Sequence, residues 1–339
     1  MNPGTGVSVV VPNWNGMAYL PECLSSLRKQ TFERFEVIVV DNGSEDGSVE
    51  FIKEAHAWVR LIALSENRGF AAACNEGIRA ASGKYIALLN NDTVVMPRWI
   101  EALSNAVERD GKVGMAASKI LLDPETREID SVGMLIYPDG LARQRGRGEI
   151  DRGQFDDSGE ILFPSGCAAM YRMEMLHEIG LFDEEFFAYC EDADLGLRGR
   201  RAGWEAVLAP DSIVWHRYSG TSGKYSSFKA MHVERNRIWV AVKNFPLSWL
   251  LMIPFAALLR YLFQLYGGIT GSGSTARFRE AHSIKNIFFI VIEAHISALK
   301  KLPLMLKKRM AIKRVVPEME FVRLMKRFKI SARELALKD

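Results

Sequence analysis

Two acidic marks stand where apolar, strand-like runs end. Asn90-Asn91-Asp92 follows Tyr85–Leu89, and Glu191-Asp192 follows Phe186–Cys190. A carboxylate just past a strand lies at the carboxyl edge of a sheet, where open α/β folds bind their ligands. Asp92 suits a divalent cation that holds a diphosphate, because magnesium-like ions take one or two carboxylates plus substrate phosphates. Asn90 and Asn91 would serve it as hydrogen-bond partners. A bland reading also exists, in which Asp92 or Thr93 merely caps the helix that Pro97 opens. Asp192 suits a general base near an acceptor hydroxyl, with Glu191 holding the acceptor or Asp192 in place. The alternative for both carboxylates, and for Asp194, is electrostatic capping of the helix they begin. Together the two marks imply a transferase that uses an activated, phosphate-bearing donor.

Further positions fit such a donor. Asp41 ends the run Glu36–Val40 and could accept the ring N–H of a pyrimidine, or simply shape the Asp-Asn-Gly turn. Pro12, Asn13 and Asn15 follow Val7–Val11 and would flank the same pocket. Asn67-Arg68-Gly69 precedes a helix whose free N–H groups favour phosphate, with Arg68 adding charge. His216 ends Ile213–Trp215, ahead of the Gly/Ser-rich stretch Ser219–Ser222, and offers a neutral nitrogen as a second metal ligand.

The elements that must position these residues alternate in type. Strands are expected at Val7–Val11, Glu36–Val40, Val59–Leu64, Lys84–Leu89 and Val113–Ala117. Helices are expected at Ala18–Gln30, from Ser48 to His56, at Phe70–Ala81 and from Pro97 to Arg109. That rhythm predicts a mostly parallel sheet with helices on both faces. Residues 123–160 break it with dense Gly, Asp and Arg and read as a mobile excursion over the active-site face. A strand is expected again at Gly166–Arg172, a helix at Asp192–Ala202, and strands at Trp204–Leu208 and Ser212–Trp215.

Charge divides the chain. Residues 1–240 hold 26 Lys and Arg against 35 Asp and Glu, and residues 241–339 hold 18 against 6. The expected division is 1–244, catalytic, and 245–339, a helical, basic, membrane-associating region. Leu247–Tyr266 is apolar for about 30 Å of helix, broken by Pro254 and Arg260. Arg260 would be costly in mid-bilayer. The mix of apolar residues with Lys300-Lys301, Lys307-Lys308-Arg309 and Lys313-Arg314 suits a helix lying on an anionic membrane surface. Packing against the catalytic region or a second copy is the rival reading, so a homo-oligomer stays open. Nucleic acid is not an expected partner, because no stacking aromatics are interleaved with these cations. Cys23, Cys74, Cys167 and Cys190 form no CxxC pair and read as reduced thiols. No secretory signal is visible ahead of the first strand.

In these segments the chain resembles the inverting family-2 glycosyltransferases of GT-A fold, in particular bacterial rhamnosyltransferase-like members. The resemblance is carried by Val7–Asn15, Val39–Ser44, Asn67–Phe70, Asn75-Glu76-Gly77, Leu88–Thr93, Gly180–Glu184, Glu191–Leu195 and Trp215-His216. It implies that Asp41 binds the base, that Asp92 is the metal-binding aspartate of a DXD-type site whose first position is here Asn90, and that His216 assists with Mg2+ or Mn2+. It implies Asp192 as base and Gly166 near the acceptor. The expected activity is transfer of a sugar, with dTDP-rhamnose a candidate donor, to a lipid-linked or polysaccharide acceptor of a bacterial surface glycan. The expected place is the cytoplasmic face of the inner membrane. A nucleotidyltransferase is disfavoured by Pro12–Asn15, where a basic Gly-rich loop would be needed, and a non-catalytic sugar-nucleotide-binding subunit is the remaining rival.

Overall fold

The structure is a computed structural model and describes residues 6–157, 159–217, 226–273, 276–278 and 282–338. The stretch Ser219–Ser222 lies outside the described residues. The front of the chain runs β1 (Val7–Asn13), α1 (Leu20–Leu27), β2 (Phe35–Asp41), α2 (Ser48–Ala55), β3 (Val59–Ala63), α3 (Phe70–Ala80), β4 (Tyr85–Leu89), β5 (Thr93–Val95), α4 (Trp99–Glu108) and β6 (Val113–Leu121). Next come β7 (Ile129–Ser131), β8 (Met134–Ile136), β9 (Ala142–Gln144), β10 (Ala168–Arg172), α5 (Met173–Ile179), α6 (Glu191–Arg201), β11 (Glu205–His216) and α7 (Ser227–Asn244). The tail contains α8 (Leu247–Leu250), α9 (Ile253–Thr270), α10 (Ile284–Lys300), α11 (Leu302–Met310), α12 (Glu318–Arg327) and α13 (Ala332–Leu337).

The main sheet has the order β3-β2-β1-β4-β10-β6-β11-β5, with β7 beside β6. Strands β1 to β4 pair in parallel, as do β6 and β11. Strand β10 inserts antiparallel between β4 and β6, and β5 runs antiparallel to β11. Period-two alternation explains the layers. Val7, Val9 and Val11 pack with Leu24 and Trp99 on one face, while Val10, Ile38 and Val40 pack with Ala71 and Leu195 on the other. The carboxyl ends of β1, β2 and β4 therefore share one edge, and Asn13, Asp41 and Asn90 are brought together there.

Four expectations change. Phe186–Cys190 is not a strand: a 3-10 turn at Glu184–Phe186 is followed by left-handed backbone at Phe187, Tyr189 and Cys190, with φ of 65°, 68° and 67°. The segment 123–160 is packed rather than loose. It contributes β7 to the sheet and the β8–β9 hairpin, and it buries Asp130 and Asp139. The two strands expected at 204–215 are one, β11, whose register shifts between Ala209 and Ile213, around Pro210. The apolar run from Leu247 is split into α8 and α9, with Pro254 in the first turn of α9. No helix among the described residues is long and apolar enough to cross a membrane. Arg260 is fully buried in protein, where Asp139 and Glu234 neutralise it. A core of Phe186, Leu197, Trp239, Met305 and Phe321 joins the tail to α6 and α7.

Candidate active site

The edge formed by β1, β2 and β4 is tied by amides. Asn13 Nδ2 donates to Asp41 Oδ2 at 2.8 Å, and Asn91 Nδ2 donates to Asn13 Oδ1 at 2.7 Å. Ser44 N–H donates to Asp41 Oδ1 at 2.9 Å. The loop can close this tightly because residue 16 is glycine: a Cβ there would lie 2.0 Å from Asn91 Nδ2. Asn42 links the next loop, donating to Asn67 Oδ1 at 2.9 Å and accepting from Arg68 N–H at 2.9 Å. Asn90 Oδ1 is buried with no protein partner and belongs to a residue that lines the cavity.

Beyond Asn90, Asp92 and His216 meet across the β5–β11 pair, with Nε2 and Oδ1 3.4 Å apart. His216 Nδ1 lies 2.7 Å from Asp130 Oδ2, and Arg147 pairs with the other oxygen of Asp130. A carboxylate behind one imidazole nitrogen fixes the ring and leaves the second nitrogen for a ligand, as in carboxylate–histidine–metal sites. The donor set fits a hard divalent cation in part. Asp92 and His216 supply two ligands, and no group of three or more His, Cys, Asp or Glu suited to a metal occurs among the described residues. Phosphate oxygens of a substrate would have to complete the shell.

The second carboxylate pair opens α6. Asp192 Oδ2 accepts from Gly166 N–H at 3.0 Å, and Oδ1 accepts from Ala193 N–H at 2.7 Å. Glu191 Oε2 is buried without a partner. Burial pushes both carboxyls above their ordinary range, Glu191 furthest because the neighbouring Asp192 adds repulsion. The N–H donors favour charge on Asp192, and Glu191, which has none, is the more readily protonated of the two. Asp194 is different. Burial opposes its ionisation, but Lys243 and Arg198 hold it below the ordinary range, with Arg198 Nε 2.9 Å and Lys243 Nζ 2.8 Å away. It anchors α6 to α7 and faces no cavity.

The left-handed turn that aims Glu191 and Asp192 is clamped from α7. Asn236 is fully buried, and the two N–H groups of its Nδ2 are shared among the carbonyls of Phe186 at 2.9 Å, Ala188 at 2.9 Å and Tyr189 at 2.7 Å. The turn also packs on Gly69, where a Cβ would stand 2.6 Å from Phe187 O. Burial pushes the Cys190 thiol well up, so it is no thiolate nucleophile.

These pieces face one cavity of about 1140 Å³. Pro12, Asn13, Asn67, Asn90, Asn91, Asp92, Glu191, Asp192 and His216 line it. Three sequence candidates do not. Asp41 stands one hydrogen bond behind Asn13, Asn15 accepts from Glu45 N–H at 2.9 Å, and Arg68 reaches Glu76 at 3.1 Å and Glu184 at 3.7 Å. Arg68 therefore supplies a backbone N–H to the loop and directs its charge toward these carboxylates. Sequence reasoning missed Asp130 and Asn236. Neither sits in a motif, and each acts on a residue about 50 or more positions away.

The profile described as Glycosyl transferase family 2 matches residues 8–180. An N-acetylglucosaminyl-diphospho-decaprenol L-rhamnosyltransferase of Mycobacterium tuberculosis is 28% identical over 282 residues, 72% of this chain and 88% of that protein. Among solved structures, S. aureus TarS 1–349 in complex with UDP superposes with a TM-score of 0.52 at 18% identity, over 95% of this chain and 90% of that one. The mannosyltransferase PcManGT from Pyrobaculum calidifontis, in complex with GDP-Man and Mn2+, gives 0.50 at 18% identity, over 94% and 86%. At these identities the structural likeness is one of fold.

Proposed function

This chain belongs to glycosyltransferase family 2, and on that premise we propose that it moves a sugar with inversion from a nucleoside-diphosphate donor to a lipid-linked acceptor. The observation that carries the proposal is the shared cavity. Asp92 and His216 face it at one end of the sheet edge, and Asp192 faces it from α6. At about 1140 Å³ it exceeds the ~300–1,000 Å³ usual for one small ligand, which suits two substrates.

Asn13, Asn67 and Asn90 would hold the nucleotide, with Asp41 fixing Asn13. A divalent cation at Asp92 and His216 would neutralise charge on the departing diphosphate; manganese accompanies the donor in the PcManGT structure. Asp192 would take the proton of the acceptor hydroxyl. That oxygen then bonds to the anomeric carbon as the bond to the diphosphate oxygen breaks on the opposite face. Holding both substrates at near-attack distance supplies much of the remaining rate. Neutral Glu191 would donate a hydrogen bond to the acceptor or to Asp192.

The choice of donor and acceptor draws on the mycobacterial relative, whose name specifies rhamnose and a diphospho-decaprenol acceptor. dTDP-rhamnose is accordingly the first donor to test. Contact with a membrane, which we place at the cytoplasmic face of the inner membrane, draws on exposed Leu258, Leu262 and Ile269 on α9 and Phe288, Phe289 and Ile292 on α10. The test is a thermal-shift panel of UDP-, GDP- and dTDP-sugars with and without Mn2+, because a ligand of the folded form raises the melting temperature. The donor that shifts it is then supplied with N-acetylglucosaminyl-diphospho-prenol. Transfer by the parent chain and its loss in Asp192→Asn, with donor binding intact, is the expected result. Binding without any transfer or donor hydrolysis would favour a non-catalytic subunit.

A further inference from the structure

The reaction cavity does not end at the sheet edge. It continues between α9 and α10, over α7. Helix α9 turns Tyr261, Gln264, Leu265 and Gly268 toward it, and α10 turns Ile287, Ile290 and Val291. These spacings of three and four each mark a single helix face. The character of the wall changes along the way. Near Asp92 it is polar, with Arg147 paired to the Asp130 behind His216; Lys229 and Arg143, whose Nη1 donates to Leu335 O at 3.0 Å, also line it. Where α9 and α10 wall it, the lining is formed by Leu265, Gly268, Ile287, Ile290 and Val291, which offer no charge. Leu265 is 62% exposed and marks where the space opens. Around that opening Leu262, Ile269, Phe288 and Phe289 are exposed as well.

We propose that this inter-helix slot is the subsite for the hydrocarbon tail of the acceptor, resting on the reading of the site as a transferase to a lipid-linked sugar. A sugar acceptor that is polar at one end and a long chain at the other matches the order of the walls. Its hydroxyl would reach Asp192, its phosphate would lie near Arg143 and Lys229, and its chain would leave past Leu265 onto the apolar faces of α9 and α10. A purely polar glycan would leave the far walls wet and apolar. The continuity of the slot with the catalytic cavity separates this occupant from a second protein, which would cover the outer faces of the helices and not enter between them.

The test uses the intact chain saturated with Mn2+ and whichever of UDP, GDP or dTDP raises its melting temperature, so that the donor subsite is filled. Geranylgeranyl phosphate and methyl phosphate are titrated below the micellar concentration by calorimetry. The prenyl phosphate should bind at least tenfold more tightly. Ile290→Asp, which charges the slot, and Ile290→Trp, which fills it, should each weaken it at least tenfold and leave nucleotide affinity unchanged. Phe289→Asp, outside the slot, should weaken prenyl phosphate binding less than either Ile290 variant while reducing retention on anionic vesicles. Equal affinity for the two phosphates overturns the slot. So does wild-type binding of the prenyl phosphate by both Ile290 variants, since the apolar faces would then be a bilayer contact alone. Failure of the parent chain to bind any of the three nucleotides overturns the transferase reading itself.

Discussion

Replacing Arg260 by methionine removes the cation that locks α9 to the rest of the protein. Arg260 donates from Nε to Asp139 Oδ2 at 2.6 Å, and from Nη1 and Nη2 to Glu234 at 2.7 and 3.1 Å. Arg237 is the second cation of the cluster, 2.7 Å from Glu234 and 3.5 Å from Asp139. In Arg260→Met two buried carboxylates share one guanidinium, and one must take up a proton. Protonating a carboxyl of ordinary pKa at pH 7 costs about 3.7 kcal/mol, close to the ~3–5 kcal/mol of a broken buried pair. The sign with pH follows. In the parent chain burial opposes ionisation of Glu234, but Arg237 and Arg260 hold it well below its ordinary range. Its contribution is therefore complete above the unfolded value and is lost only as pH falls through the folded one. In the variant the folded state keeps the proton, so stability is full below about pH 4.3 and drains as pH rises, by about 1.4 kcal/mol per unit. The deficit should be about 1 kcal/mol at pH 5 and about 3.7 kcal/mol at pH 7. With an unfolding entropy of about 0.7 kcal/mol/K for 339 residues, the pH 7 loss lowers the melting temperature by about 5 °C. Urea unfolding at the two pH values measures it. Arg260→Met combined with Glu234→Gln should recover most of the pH 7 loss. An equal deficit at both pH values, or one below about 1 kcal/mol at pH 7, refutes the charge argument.

Asp192→Asn should lower kcat by about 10²–10⁴-fold with little change in donor affinity, whereas Glu191→Gln, which mimics a carboxyl already protonated, should stay within about threefold. Because burial raises Asp192, the acid limb of kcat/KM should lie above the ordinary aspartate range, and a limb within or below that range would contradict the burial. Asn236→Ala frees three carbonyls of the left-handed turn and should cost about 1–3 kcal/mol. It should lower kcat more than it raises the donor KM; an unchanged kcat would mean the turn holds itself. Asp130→Ala should weaken Mn2+ binding in the presence of nucleotide by about 10–100-fold, read by electron paramagnetic resonance. Unchanged affinity would show that Asp130 does not orient His216 as a ligand.

What the sequence made legible was whatever depends on local periodicity. The β-branched runs at Val7, Val37 and Val59 alternate, so the parallel half of the sheet and its loaded edge could be read directly. Asp92 and Asp192 were visible because each directly follows an apolar run. The run before Asp192 was misread for a physical reason. Phe186–Cys190 has strand composition, yet Asn236 and Gly69 hold it in a left-handed turn, and long-range hydrogen bonds override local preference there. The segment 123–160 is rich in Gly, Asp and Arg, which suggests loops. Its acids are in fact paired partners, Asp151 of Lys119 at 3.1 Å and Asp139 of Arg260. Partners 32 and 121 positions apart leave no mark on a local pattern. An amide on the buried stripe His232–Asn236–Val240 of α7 is the available signal for Asn236.

The opposed charges of the two parts of the chain take on another meaning in the folded protein. A balance of −9 in front and +12 behind reads, on sequence, as a basic arm reaching for an anionic membrane. Much of that charge turns inward instead. Lys301 pairs with Glu185, Lys308 with Asp183, Lys313 with Glu178, and Arg327 with Glu160. Most of these groups are partly exposed, so such pairs contribute roughly 0–1 kcal/mol each. Their sum is modest beside the shared core of Trp239, Met305 and Phe321. What they provide is register: opposite charges set the tail at one place against α5, the turn before α6 and the segment around Glu160, and that placement brings α9 and α10 over the mouth of the cavity. Several of its cations are satisfied by the protein, and α9 and α10 present exposed apolar side chains at Leu262, Leu265, Phe288 and Phe289. The proposed membrane contact therefore rests on those side chains more than on net charge.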